Sequence, residues 1–205
     1  MRLFGKKDNQ NENNEQQLNW KQRIILDLRD VVTVLASFMV IYMLLFRVVV
    51  VVGPSMYDTL VDGDRLVLVS NVLYRNPKQG DVIVASKDSF RNGECIVKRV
   101  IATEGQEVDI NFFTGTVKVD GVVLDESAYI TGVTTRDEGM KFPLIVPENC
   151  VFVLGDNRNE SADSRDPAIG YIDERQILGK VVFLLMPGND NGRVQADTGR
   201  IGVIN

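Results

Sequence analysis

Residues 31–46 (VVTVLASFMVIYMLLF) carry no charged side chain, and Val48–Val52 continue the apolar run after Arg47. A stretch that is apolar all round has no polar face to turn to water, as a surface helix of a globular domain would have. As a helix, residues 31–46 reach about 24 Å, a little short of the roughly 30 Å hydrocarbon core of a bilayer. An arginine at a helix end can snorkel to the interface, so Arg47 and the first valines close the gap. The expectation is a transmembrane signal anchor over residues 31–52, leading into the first strand. A buried core helix and a cleaved signal peptide are the competing readings. The second would have a shorter apolar region and a small-x-small cleavage site, which does not follow Val52.

The run splits the chain into three parts. Residues 1–30 are polar. Residues 8–18 (DNQNENNEQQL) hold too few apolar side chains to build a core and read as a disordered tail. Trp20, Ile24, Ile25, Leu26 and Leu28, interrupted by charges, suit an interfacial helical turn. Arg2, Lys6, Lys7, Lys21, Arg23 and Arg29 precede the span, which favours a cytoplasmic N-terminus.

Residues 53–205 form the third part. Its apolar segments are short, rich in Val and Ile, and bounded by Gly, Asp, Asn or Pro: 65–70, 81–85, 95–102, 106–110, 116–119, 151–154 and 179–185. Asp120-Gly121, between Val117–Val119 and Val122–Leu124, predicts a two-residue hairpin turn. No helical periodicity of useful length follows residue 53. The fold class is mostly β, with short antiparallel strands in packed sheets or an open barrel.

Composition narrows the chemistry. The chain has no histidine, which excludes a Ser-His-Asp triad, a Cys-His dyad and any His-ligated metal. Two cysteines, Cys95 and Cys150, are too few for a Cys-only zinc site. The spacing leaves a disulfide between them open, with buried free thiols the favoured reading. A net charge of −5 argues against a general nucleic-acid binder. Catalysis, if present, runs on Ser, Lys, Asp, Glu, Tyr or Arg.

Three segments carry such groups. Gly53-Pro54-Ser55-Met56 places a hydroxyl at a sharp bend directly after the valines; taken alone, such a serine is commonly a turn residue. In Ile96–Ile101, alternation puts Lys98 on a face with Ile96 and Val100, and Arg99 with Val97 and Ile101. The bland outcome is that both cations snorkel or protect an edge strand. The functional outcome is a desolvated Lys98, whose neutral form burial favours. That shift matters because an unperturbed lysine is neutral only about once in 2,500 at pH 7. Finally, Gly155–Asp166 is almost wholly polar. Its carboxylates loosely suggest calcium, but Arg158 and Arg165 stand among them, which favours internal Asp–Arg pairing that stiffens the loop.

In order along the chain stand Gly53–Met56 with Thr59-Leu60, Gly63-Asp64, Gly80–Ile83, Val97–Ile101, Gly155–Asn157 through Ser161, Asp163–Arg165, and Gly179-Lys180. Together, after a single apolar span, they resemble the bacterial type I signal peptidases. These are membrane-anchored serine–lysine proteases that remove signal peptides from exported preproteins. The resemblance implies Ser55 as nucleophile and Lys98 as the general base that takes its proton. Ser161 would orient the lysine, and the backbone N–H of Ser55 would supply one oxyanion donor. Gly53 stands where some members have a second, hydroxyl donor, so that role falls to another group. Met56 would line the site. Asp163 with Arg99, and Asp156 with Arg165, would form structural ion pairs. A preorganised oxyanion site with a neutral lysine performs acyl transfer without imidazole.

Three positions depart from the family pattern: Asp58 where proline is usual, Ala102–Gln106 in place of a Gly-Leu-Pro-Gly-Asp-like run, and Asn149 for a turn glycine. Asn tolerates the left-handed conformation, so that turn can survive. The resemblance further implies preprotein signal peptides as partners, cut after Ala-x-Ala-like ends and bound as an extended strand. It places the catalytic domain outside the cytoplasm, beside the bilayer that holds the substrate. No cofactor, metal or nucleic acid enters. The competing account is a membrane-anchored, non-catalytic β module. Peptide cleavage should survive excess chelator; loss of activity that returns with added metal would overturn the metal-free reading.

Overall fold

The structure is a computed structural model and describes residues 20–57, 59–87, 90, 93–130, 132–188 and 198–204, Lys21, Gln22 and Thr198 by backbone alone. The tail expected over residues 8–18, the basic residues Arg2, Lys6 and Lys7, and Asp58 lie outside the described residues. The chain divides into two compact units, Met1–Met43 and Leu44–Asn205.

Helix α1 (Trp20–Leu45) begins well before the uncharged run and stops one residue short of its end. Its apolar side chains, from Trp20 to Leu44, are exposed. The five residues after it, Phe46–Val50, form strand β1 instead of a last helical turn. The uncharged part of the helix, residues 31–45, is therefore only about 22 Å long. Among the described residues no helix is long and apolar enough to cross a membrane. This corrects the transmembrane expectation over 31–52: the β-branched valines that were to complete the span pair with a neighbouring strand.

The second unit is built from antiparallel strands. The strands after β1 are β2 (Arg65–Ser70), β3 (Val82–Ser86), β4 (Cys95–Thr103), β5 (Glu107–Asn111), β6 (Thr116–Val119) and β7 (Val122–Val123). Then come β8 (Leu144–Ile145), β9 (Cys150–Leu154), β10 (Ile172–Asp173), β11 (Ile177–Met186) and β12 (Gly202–Val203). One sheet runs β1-β2-β11-β3-β4-β9-β10, with β12 also on β11; the other runs β7-β6-β5-β8. Helical structure in this unit is limited, among the described residues, to two single turns, Glu174–Gln176 and Thr198–Arg200. The mostly-β reading is therefore correct, and each of the seven strands expected from sequence lies within a residue or two of its predicted position, whereas β1 was not expected as a strand. At the 120–121 hairpin both central residues have positive φ, 52° and 78°, as a type I′ turn requires. Asn149 likewise adopts φ 56°.

The centre of the large sheet is buried on both faces. Strand β3 shows why: Val82 and Val84 join one apolar cluster, with Met56, Leu66, Leu68 and Val181, while Ile83 and Ala85 join a second, with Ile96, Val100 and Val153. Period-2 alternation sends successive residues to opposite faces. A third cluster packs Ile101, Ala102, Phe152 and Leu154 of the large sheet against Val108, Ile110, Val117 and Val119 of the small one. Strand β4 thus spans two cores, and Lys98 sits at its middle.

Asp81 fastens the entry to β3. Its carboxylate accepts from Tyr74 Oη at 2.6 Å, Lys78 N at 3.0 Å and Lys180 Nζ at 2.5 Å. Burial alone would raise its pKa, but the Lys180 and Tyr74 hydrogen bonds outweigh that and hold it below the ordinary 3.8. A lowered folded-state pKa gives stability that is full above the unfolded value and lost as pH falls through the folded one. Asp81→Asn is expected to flatten the acid limb of a denaturation midpoint measured from pH 6 downward to about pH 2; an unchanged limb would remove Asp81 as a source of acid sensitivity.

Candidate active site

Residues 51–64 form a loop between β1 and β2 that closes on itself. Val51 N donates to the Asp64 carbonyl and Gly63 N to the Val51 carbonyl, each at 2.9 Å. Inside it, Tyr57 N donates to the Pro54 carbonyl at 2.9 Å and Leu60 N to that of Met56 at 2.8 Å. Met56 and Leu60 are buried in the first apolar cluster. Their burial pins the loop while Ser55, between Pro54 and Met56, stays partly open to solvent. Met56 itself is core and is absent from the side chains that line the cleft described below. The Gly53 N–H is taken up by Asp62 Oδ1 at 2.8 Å.

Lys98 comes from β4, opposite Ile83 of β3. It is only 4% exposed, and Arg99 2%, so neither cation snorkels. Lys98 Nζ donates to Ser55 Oγ at 2.7 Å and to the Val97 carbonyl at 2.9 Å. Two groups 43 positions apart in sequence thus meet at hydrogen-bond distance. Ser161 is fully buried, and among the described residues its Oγ has no hydrogen-bond partner. It lies against Gly155, where a Cβ would collide with both Ser161 Oγ and the Ser55 carbonyl oxygen. Only glycine lets the polar loop approach the Ser55 turn so closely. Asn157 strengthens that approach: its N donates to the Ser55 carbonyl and its Nδ2 to the Pro54 carbonyl, both at 3.1 Å.

The ion pairs are crossed relative to the expectation from sequence. Arg99 pairs with Asp156, not Asp163: Nε meets Oδ1 at 2.9 Å and Nη2 meets Oδ2 at 2.8 Å. Arg165 pairs with Asp163, not Asp156, through Nε–Oδ1 at 2.8 Å and Nη2–Oδ2 at 2.9 Å. Strand register is the reason. The β4–β9 ladder sets Arg99 opposite Leu154, so the chain leaving β9 carries Asp156 past Arg99. Asp163 and Arg165 then close on each other within the loop, which is the internal stiffening the sequence suggested. Burial works against the Arg165 charge, but the Asp163 carboxylate outweighs it and raises the guanidinium pKa.

A third buried pair was not anticipated. Arg158 Nη1 and Nη2 meet Glu126 Oε2 and Oε1 at 2.8 and 2.5 Å. Tyr129 lies beneath, its ring centroid 4.2 Å from the Arg99 guanidinium carbon and 5.9 Å from that of Arg158. Nothing in the sequence linked residues 126 and 158, because the two segments belong to different sheets' connections. Thr59 Oγ1 also donates to Asp156 Oδ2 at 2.5 Å, tying the Ser55 loop to the Arg99 pair. The two cysteines are free, as read, but Cys95 is exposed and Cys150 half-buried. Each opens a strand, β4 or β9, and these neighbours run antiparallel, so the thiols stand at opposite ends.

A cleft of about 390 Å³ opens over the Ser55–Lys98 contact. Val49–Val52 border it on one side and Cys95–Val97 on the other. β1 is the edge strand of the large sheet, and β4 pairs with β9 only from Arg99 onward. Both walls therefore present strand edges to the cleft.

The sequence profile of the family described as signal peptidase, peptidase S26, matches residues 25–186. The chain belongs to this family. It is accordingly a peptidase, a hydrolase of the signal peptidase class. A signal peptidase I of Bacillus licheniformis is 33% identical over 86% of this chain and 96% of its own length. Signal peptidase I T of Bacillus subtilis strain 168 is 33% identical over 84% of this chain and 87% of its own. A crystal structure of a signal peptidase I from Enterococcus faecalis V583 is 31% identical, covers 51% of this chain and 96% of that one, and gives a TM-score of 0.40.

Removing one partner from a buried ion pair typically costs about 3–5 kcal/mol, because the other charge stays buried alone. Asp156→Ala should lower unfolding free energy by that order in denaturant titration and should also lower peptidase activity per folded molecule. Wild-type stability in that variant would mean that the pair carries no structural load.

Proposed function

We propose that this peptidase removes signal peptides from exported preproteins, with Ser55 as nucleophile and Lys98 as general base. The observation that carries the reading is the 2.7 Å contact between Lys98 Nζ and Ser55 Oγ beneath an open cleft. Lys98 Nζ donates to two uncharged oxygens, Ser55 Oγ and the Val97 carbonyl, and the side chain is buried at 4% exposure. Such surroundings disfavour an ammonium and leave an amine able to accept a proton.

In the proposed reaction the neutral Lys98 takes the Ser55 hydroxyl proton as Oγ attacks the scissile carbonyl. The backbone N–H of Ser55 faces the developing oxyanion. Lys98 then gives its proton to the leaving amine, and later draws one from the water that hydrolyses the acyl-enzyme. Ser161, buried beside Gly155, has a hydroxyl free to orient the Lys98 amine once the site is occupied. Arg99, Asp156, Asp163 and Arg165 hold the frame. The substrate lies extended between the β1 and β4 edges, adding backbone hydrogen bonds on both sides, with small residues preceding the cleaved bond.

The exposed apolar surface of α1 fits a lipid contact, since water is a poor solvent for it. We infer that α1 holds the enzyme at a bilayer surface, where it meets its tethered substrate at raised effective concentration.

Three experiments test these points. Ser55→Ala and Lys98→Met should each lower cleavage of a preprotein with an Ala-x-Ala site by about 10⁴-fold or more while remaining folded. Wild-type activity should rise from neutral to mildly alkaline pH as the lysine loses its proton; an acid optimum, or normal cleavage by Lys98→Met, would refute the lysine base. In a vesicle flotation assay the full chain should rise with lipid and a chain lacking residues 20–45 should not. Flotation of both would move the lipid contact to the β unit.

A further inference from the structure

The family match ends at residue 186, yet the chain returns to the Ser55 loop after that point. Residues 198–204 form a helical turn, Thr198–Arg200, followed by β12, which adds to β11 through the partners Phe183–Val203 and Leu184–Gly202. Ile204 N donates to the Val182 carbonyl at 3.2 Å, and Ile204 packs on the cluster that holds Val51, Met56 and Leu60. Stitched down in this way, the segment delivers one guanidinium to the base of the loop.

That guanidinium belongs to Arg200. Its Nη1 and Nη2 meet Asp64 Oδ1 and Oδ2 at 3.0 and 2.7 Å, and Nη2 also donates to the Thr59 carbonyl at 3.2 Å. Asp64 is fully buried and is the hub of the loop's closure. Its carboxylate accepts from Val61 N at 2.8 Å and from Gly188 N at 2.7 Å, while its carbonyl receives Val51 N. Thr59 is the residue whose hydroxyl reaches Asp156. One side chain from the C-terminal segment therefore grips both the closing point of the loop and the strut that joins it to the Arg99 pair. A bidentate fork fixes direction as well as distance, which a flexible ammonium does not.

We propose that Arg200 is a positioning residue for the reaction, a C-terminal latch that holds the 51–64 loop so that Ser55 Oγ stays within reach of Lys98 Nζ. The inference rests on Ser55 as the nucleophile. Displacing a reacting group by about 1 Å can cost about a hundredfold in rate, so loosening the latch acts on turnover without touching substrate.

The test uses the full chain in detergent, with wild type, Arg200→Ala and Arg200→Lys compared on an Ala-x-Ala preprotein. Active sites are counted by titration with an acylating serine-directed inhibitor, and kcat is expressed per titrated Ser55. The Ala variant should lose about tenfold to a hundredfold in kcat with KM little changed, and the Lys variant should recover part of the loss. A purely structural role would instead lower the number of titrated sites and leave kcat per site at the wild-type value, which overturns the latch. The Lys variant keeps a cation beside Asp64, so it reports even if the Ala variant fails to fold. A loss confined to KM also overturns it. If wild type neither cuts the preprotein nor is acylated at Ser55, the proposed function itself falls, and the latch with it.

Discussion

The Asp156 carboxylate is the joint on which this site depends. One oxygen pair closes the fork of Arg99 from β4, and the same carboxylate receives the Thr59 hydroxyl from the Ser55 loop. The strand that bears Lys98, the loop that bears Ser55 and the segment that bears Ser161 are thus fastened at a single buried group. An ion pair so placed gives uncertain net stability, since desolvation opposes attraction. Its evident value is geometric, because it ties the loop that bears Ser55 to the strand that bears Lys98.

The sheet supplies the conditions for that joint. β4 lies between β3 and β9, and both of its faces meet packed side chains. A cation in such a strand cannot reach water, so each of the two central cations takes a different solution. Arg99 is matched by a carboxylate and a tyrosine ring. Lys98 meets the Ser55 hydroxyl and the Val97 carbonyl. Adjacent residues on one strand come to differ in role because alternation gives them different faces.

The strands were legible because short Val- and Ile-rich runs bounded by turn residues have few other uses. The Asp120-Gly121 hairpin was legible for a sharper reason, the positive φ that both positions must adopt. The ion pairs were legible as a set of charges and not as partners. Which carboxylate reaches Arg99 depends on the register of β4 against β9, a non-local quantity with no mark in the loop. Arg158 and Glu126 were missed for the same reason, and so was the reach of Arg200 to Asp64. The apolar run misled in one respect. Hydropathy makes no distinction between a valine facing lipid and a valine in an edge strand, and Phe46–Val50 went to the sheet.

By itself, the sequence determined the chemistry available. Without histidine, and with Ser55, Lys98 and Ser161 set in ordered motifs, it left a serine–lysine site as the coherent option, and its periodicity specified a β domain. The tertiary structure alone decided that Lys98 Nζ and Ser55 Oγ meet, that Gly155 is where the polar loop touches the Ser55 turn, and where the helix gives way to strand. The physical reason is the range of the forces involved. Strand propensity and turn conformation are settled within a few residues, whereas a reactive contact needs sheet register, loop closure and buried pairing to agree across most of the chain.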